Sequence, residues 1–214
     1  MAGNGSSVPR ARAVAVFCGA KAGRNPAFID AARSLASALH SQGWSLVYGG
    51  GSVGMMGEVA RTLVGLGGIV QGIIPEKLLS IERARAPALV GKTRESSFGS
   101  LTIVEDMHAR KALMAELSDA FVALPGGFGT LEELMEIITW NFLGIHEKPI
   151  ILFNVDGYYD EIVTWVKKAV TEEFVNVGNR GIVVEAKSAA EVIEQIKSYK
   201  VASDRYDLDW GTRE

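Results

Sequence analysis

The sequence predicts an α/β protein, a doubly wound, mainly parallel sheet with helices on both faces. Two observations predict it. Short apolar runs alternate with stretches whose apolar residues recur at helical spacing, from Ala13 to Lys197, and such alternation builds βαβ units. Two glycine-rich loops follow apolar runs and open helical stretches. That places both on the carboxyl edge of a parallel sheet, where ligands bind.

Each element has its own signal. Ala13 to Cys18 is apolar throughout and runs into a glycine, as suits a strand buried on both faces. Asn25-Pro26 opens a helix carrying Ala31, Leu35, Ala38 and Leu39, and Gly43 stops it. Ser45 to Tyr48 is a second strand, running into Gly49-Gly50-Gly51. A helix over 55–64 and a strand over 69–74 follow, ended by Pro75. From Glu76 to Gly99 the periodicity fails and charges mix in. This predicts a long, partly helical excursion of the kind that serves as a lid or binding loop. A strand at 101–104, a helix at 107–117 and a strand at 120–124 come next. The following helix carries Leu131, Leu134, Met135, Ile138 and Phe142 as its apolar stripe. A strand at 150–153, a helix at 158–174, a strand at 182–184 and a helix at 189–197 complete the pattern. Residues 1–12 read as a disordered leader, 13–200 as one domain and 201–214 as a loose polar tail.

Composition narrows the function. The chain has 214 residues, 48% of them apolar, and a net charge of −3. That suffices for a real core and excludes global disorder. A mildly acidic balance without a basic run argues against nucleic acid and anionic membranes as partners. No stretch reaches the roughly 20 apolar residues that span a bilayer. The single cysteine, Cys18, excludes an intramolecular disulfide, so a reducing, cytoplasmic setting is expected. His40, His108 and His146 lack metal-ligand spacing, so no metal site is expected.

The chemistry concentrates at Pro125-Gly126-Gly127-Phe128-Gly129-Thr130. Glycines bring backbone N–H groups close to an anion, and the following helix adds free N–H groups and its positive dipole end. This is a phosphate cradle without a Walker lysine. It also reads as a tight turn with Thr130 as an ordinary N-cap. Thr130 to Glu133 then forms a capping box, with Glu132, Glu133 and Glu136 favouring the dipole. Against that stands location: a carboxylate one turn from a phosphate faces the attached sugar. Glu133 and Glu136 share a face with Thr139 and Trp140, opposite the apolar stripe. The second loop, Gly49 to Gly54, satisfies G-x-G-x-x-G but follows the second strand rather than the first. Arg110-Lys111 lies on the helix before the phosphate loop, and a guanidinium suits bidentate contact with an oxyanion.

PGGFGTLEE at 125–133, preceded by MHARK at 107–111, resembles the LOG ("lonely guy") family, known under an older description as lysine decarboxylases. The similarity extends to FCGAKAGRNP (17–26), YGGGSVGMMG (48–57), ITWNFLGIHEKPI (138–150) and NVDGYYD (154–160). The resemblance implies a Rossmann-like fold, a homodimer and hydrolysis of the N-glycosidic bond of cytokinin riboside 5′-monophosphates, without cofactor or metal. It implies Arg110 and Glu133 as the catalytic pair. Gly126, Gly127, Gly129 and Thr130, with Phe128 between them, would hold the phosphate. Lys111 and Thr139 would complete the nucleotide site, with Ser52 of the second glycine loop, Glu76 after Pro75 and Met107 toward the base.

Two departures stand out: Ala20-Lys21 replaces the serine usual after FCG, and the excursion after Pro75 is longer. Trp140, Phe142, Leu143 and Ile145 form an apolar cluster fit for a dimer interface. The rival readings are a non-catalytic nucleotide carrier or sensor, and a pyridoxal-phosphate decarboxylase.

Overall fold

An unbroken apolar run has no face to offer water, so it sits where both faces are covered. Ala13–Phe17 (β1) is buried at every position and lies at the centre of the sheet. A computed structural model describes residues 12–85 and 97–211. The expected leader up to residue 11, most of the second half of the excursion, and the last three residues lie outside the described residues.

The other strands are Ser45–Tyr48 (β2), Val70–Pro75 (β3), Ser100–Val104 (β4), Ala120–Ala123 (β5), Ile150–Phe153 (β6) and Val183–Ala186 (β7). They form one sheet in the order β4-β3-β2-β1-β5-β6-β7, every pairing parallel. The order reverses between β1 and β5. In such sheets that reversal opens a crevice at the carboxyl ends of the two strands. Here the loop after β1 and the loop after β5 flank it.

The helices are Ala27–Ser41 (α1), Gly54–Gly65 (α2), Glu76–Arg85 (α3), Met107–Leu117 (α4), Phe128–Phe142 (α5), Asp160–Thr171 (α6) and Ala189–Ser198 (α7). Alternation along each strand sends successive side chains to opposite faces. Val14 and Val16 pack with Leu35 and Leu39 of α1, Val59 and Leu63 of α2, and Val192 and Ile196 of α7. Ala15 and Phe17 pack on the other face with Met114 of α4, Leu134 and Ile137 of α5, and flanking Ile162 and Val163 of α6. The expected arrangement of helices on both faces is therefore present.

Two local readings change and a third, the partly helical excursion, gains its bounds. The last large helix is preceded by a 3-10 turn at Val155–Gly157, in which Asp156 has φ 49, so it starts at Asp160 rather than 158. The excursion begins with a helix directly at Glu76. The tail, expected to be loose, is tied down as far as Gly211. Arg205 donates from Nε to the Asn141 carbonyl (2.7 Å), from Nη2 to the His146 carbonyl (3.0 Å), and from Nη1 to Glu147 (3.2 Å). Tyr206 stands edge-on to Phe142, and Trp210 donates to the Leu143 carbonyl. The tail thus covers part of the apolar cluster that the sequence offers as an interface. Arg205→Ala should lower stability by about 2 kcal/mol, since bonds from a charged donor to buried carbonyls are lost. A urea melt and faster proteolytic release of the tail would check this; an unchanged melt would show the strap to be incidental.

Candidate active site

Three loops meet at the carboxyl edge, and the meeting depends on glycine. Gly19 follows β1. Its N–H donates to the Pro125 carbonyl at 3.0 Å, joining the loops after β1 and β5. Its carbonyl accepts from Met55 and Met56, the first free N–H groups of α2. Gly54 has φ +61, and a Cβ there would lie 2.4 Å from the Ala20 carbonyl carbon. Only a residue without a side chain permits that approach.

The two glycine loops therefore differ. The first-turn donors of α2 are taken by Gly19, and Ser52 gives both its N–H and its Oγ to the Glu82 carboxylate, each at 2.9 Å. Glu82 is buried. Three backbone donors of the G-x-G-x-x-G loop and the helix it opens, those of Ser52, Met55 and Met56, are thus taken from within the protein, which leaves fewer for a dinucleotide pyrophosphate.

The loop after β5 is open. α5 begins at Phe128, and its N-cap Gly127 supplies no side-chain cap. Among the described residues, no carbonyl or side chain takes the N–H groups of Phe128, Gly129 or Thr130. Gly127, Phe128 and Gly129 are exposed, Phe128 to 95%. Thr130 is buried with its Oγ1 against Gly126, where a Cβ would stand 2.0 Å away. Beside this helix end lies a cavity of about 400 Å³ lined by Gly19, Lys21, Phe28, Gly126, Gly127 and Tyr158. Tyr158 donates its hydroxyl to the Gly126 carbonyl, pinning the loop from behind.

The capping-box reading fails. The helix starts two residues before Thr130, which puts Thr130 inside the first turn and Glu133 a turn further on. The buried face of α5 runs through Thr130, Glu133, Leu134, Ile137 and Asn141. Glu133 is buried in an ion pair with Nη2 of Arg110 from α4. Burial pushes the Glu133 carboxyl above the usual glutamate range, against the lowering pull of Arg110. The Arg110 Nε is buried with no partner among the described residues, leaving a donor for a ligand.

Lys111, also buried, bonds Glu132 and Glu136, the latter at 3.1 Å. Burial works to lower its pKa, but the two carboxylates outweigh this and hold it raised. A lysine that keeps its proton is no Schiff-base nucleophile, which counts against the decarboxylase reading. Burial likewise keeps Cys18 a thiol. His146 is pushed down to about 4, chiefly by burial. Its Nδ1 accepts from the Lys148 N–H, which leaves Nε2 to donate to the Ile137 carbonyl. It is a bracket for the turn after α5. Among the described residues no cluster of His, Cys, Asp or Glu could hold a metal ion.

The fold brings Arg110, Glu133, Gly126, Gly127, Phe128, Gly129 and Thr130 to one edge, with Lys111 alongside. Met107 and Glu76 are exposed at the starts of α4 and α3, at the same end of the sheet. Ser52 is near but committed to Glu82. Thr139 is not in the cluster: it is exposed, gives its hydroxyl to the Met135 carbonyl, and lines a separate hollow with Phe142 and Trp165. Glu133 and Thr139 do not share a face. The sequence reading missed Glu82 and Tyr158. Tyr158 lay in a motif already noted, whereas Glu82 sat in the aperiodic excursion without a local signal.

An open helix N-terminus at the switch point of a parallel sheet, next to a largely buried arginine–glutamate pair, is the arrangement by which α/β proteins hold phosphate-bearing ligands. The family described as "Possible lysine decarboxylase" matches residues 56–196. Cytokinin riboside 5′-monophosphate phosphoribohydrolase LOG5 of Arabidopsis thaliana is 46% identical over 91% of this chain and 81% of its own length. The probable phosphoribohydrolase LOGL3 of Oryza sativa is 45% identical over 95% of this chain and 92% of its own. The chain belongs to this LOG family. The molybdenum cofactor carrier protein of Chlamydomonas reinhardtii shares the fold, with a TM-score of 0.64 at 22% identity, over 89% of this chain and 98% of its own.

Gly126→Ala drives a Cβ into the place of the Thr130 hydroxyl. It should weaken binding of ribose 5-phosphate by about tenfold or more, as measured by calorimetry. Unaltered affinity in the folded variant would show that the anion binds elsewhere.

Proposed function

We propose that this chain hydrolyses the N-glycosidic bond of cytokinin riboside 5′-monophosphates, and of AMP, releasing the free base and ribose 5-phosphate. The observation that carries this is the buried Arg110–Glu133 pair one turn from an uncapped helix N-terminus. The curated relatives, named for this activity, support it.

The 5′-phosphate binds at the start of α5, where the N–H groups of Gly129 and Thr130 and the positive helix end meet it. That fixes the ribose over the first turns of α5, toward Glu133. As the C1′–N9 bond lengthens, positive charge builds on the ribose. An ionised carboxylate in a low-dielectric setting stabilises that charge far better than water does. Glu133 can act through this field or take the proton of the attacking water. Water adds its oxygen to C1′, and the base leaves with the bonding electrons and gains a proton. Arg110 holds Glu133 ionised against the cost of burial, and its Nε–H, without a partner among the described residues, is a donor for the departing base. Lys111 neutralises Glu132 and Glu136, so that Glu133 is not one of three uncompensated acids.

A lysine at position 21 edges the cavity beside the phosphate loop, and it supplies the cation that stands in for the missing serine hydroxyl. Exposed Met107, Leu78 and Ile81 give the base side an apolar rim suited to a prenyl tail. A cytoplasmic setting suits a chain whose one cysteine is buried.

Chromatography of free base released from isopentenyl-AMP, AMP and isopentenyladenosine tests the reading. The expected order is prenylated nucleotide above AMP, and both far above the nucleoside, whose missing phosphate leaves the α5 donors unpaired. Glu133→Gln and Arg110→Ala should each reduce kcat/KM by about a hundredfold or more. The chemistry needs the ionised carboxylate, and the folded pKa is raised. Activity should therefore fall, as pH drops, through a midpoint above the ordinary glutamate range. Equal rates for nucleotide and nucleoside, or a near-normal Glu133→Gln enzyme, would refute it.

The protein further works as a homodimer, on apolar surface that the tail leaves bare, including Ile145 and the exposed Phe174 and Trp165. Light scattering should give twice the mass of one chain at micromolar concentration; a stable monomer would contradict this.

A further inference from the structure

Glu82 sits in α3, whose neighbouring side chains Glu76, Lys77, Leu78, Ser80 and Ile81 are exposed, yet it is only 8% exposed itself. A carboxylate turned inward needs strong partners. Its Oε2 receives both donors of Ser52, the backbone N–H and the hydroxyl, at 2.9 Å each. Ser52 ends the run Gly49-Gly50-Gly51. That run forms the surface on which the Arg110 guanidinium lies: a Cβ on Gly49 would stand 3.4 Å from Nη1 and 3.7 Å from Cζ of Arg110. Gly50, at φ +73, is pressed against Ile74 and Leu101, where a Cβ would meet both at 3.0 Å.

We propose that Glu82 is a positioning residue for Arg110, acting through the Gly49–Ser52 loop. The inference rests on the function proposed above. Consecutive glycines have little intrinsic preference for one conformation. β2 holds one end of the run, and the Ser52–Glu82 bonds hold the other. Among the described residues Arg110 has one side-chain partner, Glu133, and its buried Nε has none, so the packing beneath it decides where the guanidinium points. When the latch is lost, the glycine run shifts and Arg110 loses its angle to Glu133 and to the ribose. The phosphate donors of α5 lie on a different loop and stay in place. The defect therefore belongs to turnover, not to substrate capture. A single acceptor oxygen serves both bonds, so glutamine at this position can replace glutamate.

The test uses Glu82→Ala, Glu82→Gln and Ser52→Ala in the full-length protein. The first readout is exchange with water of the Arg110 Nε–H, followed by nitrogen-15 NMR. It should be about tenfold faster in Glu82→Ala, faster by a smaller factor in Ser52→Ala, which keeps the backbone N–H bond, and close to the parent in Glu82→Gln. The second is steady-state release of base from isopentenyl-AMP. Glu82→Ala should lower kcat about tenfold with KM within about twofold. In an Arg110→Ala background the same change should cost less than about twofold more, because its route is already removed. Unchanged Nε–H exchange in a folded Glu82→Ala protein would overturn the proposal. So would a tenfold loss that persists without Arg110. If the parent protein releases no base, the proposed function falls, while the exchange measurement still decides whether Glu82 positions Arg110.

Discussion

The backbone around Gly19 is where the site is made. One peptide unit there donates to the Pro125 carbonyl and accepts from the start of α2. Three loops come within van der Waals contact of each other with no side chain between them. Gly54 against Ala20, and Gly126 against the Thr130 hydroxyl, leave less than 3 Å for a Cβ. Close packing of this kind resists gradual deformation. The end of β1, the phosphate loop and the first turn of α2 therefore hold fixed positions. Arg110 and Glu133 are aligned against a floor that does not move with them.

That constraint also sorts two loops that look alike. Both are glycine-rich, and both run from a strand into a helix. One gives the N–H groups of Ser52, Met55 and Met56 to Glu82 and Gly19; among the described residues the first-turn N–H groups of α5 have no such acceptor. A helix N-terminus binds an anion only with donors that nothing else has satisfied. That difference is why the proposed phosphate site lies on the loop after β5. The buried pair itself is an uneasy element. Two charges taken out of water are worth keeping only when each compensates the other. Glu133 shows the tension, because burial raises its pKa while Arg110 pulls it down. A carboxylate held in that balance is well placed to answer positive charge that appears in the transition state.

Much of this could be read along the chain. The βαβ alternation, the bounds of α4, the strand at Ala120 and the glycine loop that follows it come from local pattern, since each depends on neighbours a few residues apart. The errors have a common origin. The stripe Leu131/Leu134/Ile138 does pack on the core, but the buried face of α5 is wider and also carries Glu133 and Asn141, which hydrophobicity cannot show. A polar residue can occupy a buried face when a partner arrives from another element, and the partner is invisible in the local sequence. Polarity alone predicts a loose tail, yet Arg205 bonds the carbonyls of Asn141, at the end of α5, and of His146, in the turn beyond it.

By itself, the sequence determined the layered α/β architecture, the placing of both glycine loops between a strand and a helix and, through its motifs, the family to which the chain belongs. Periodicity and glycine placement are short-range properties that physics reads locally. Only the tertiary structure decided which glycine loop stays open. It also decided that Thr130 lies inside its helix, that Lys111 is clamped between two acids, and that Glu82 reaches Ser52 across thirty residues of chain. Each of these is a competition for hydrogen bonds and burial among groups far apart in sequence, and it is settled when the loops are brought together at the sheet's edge.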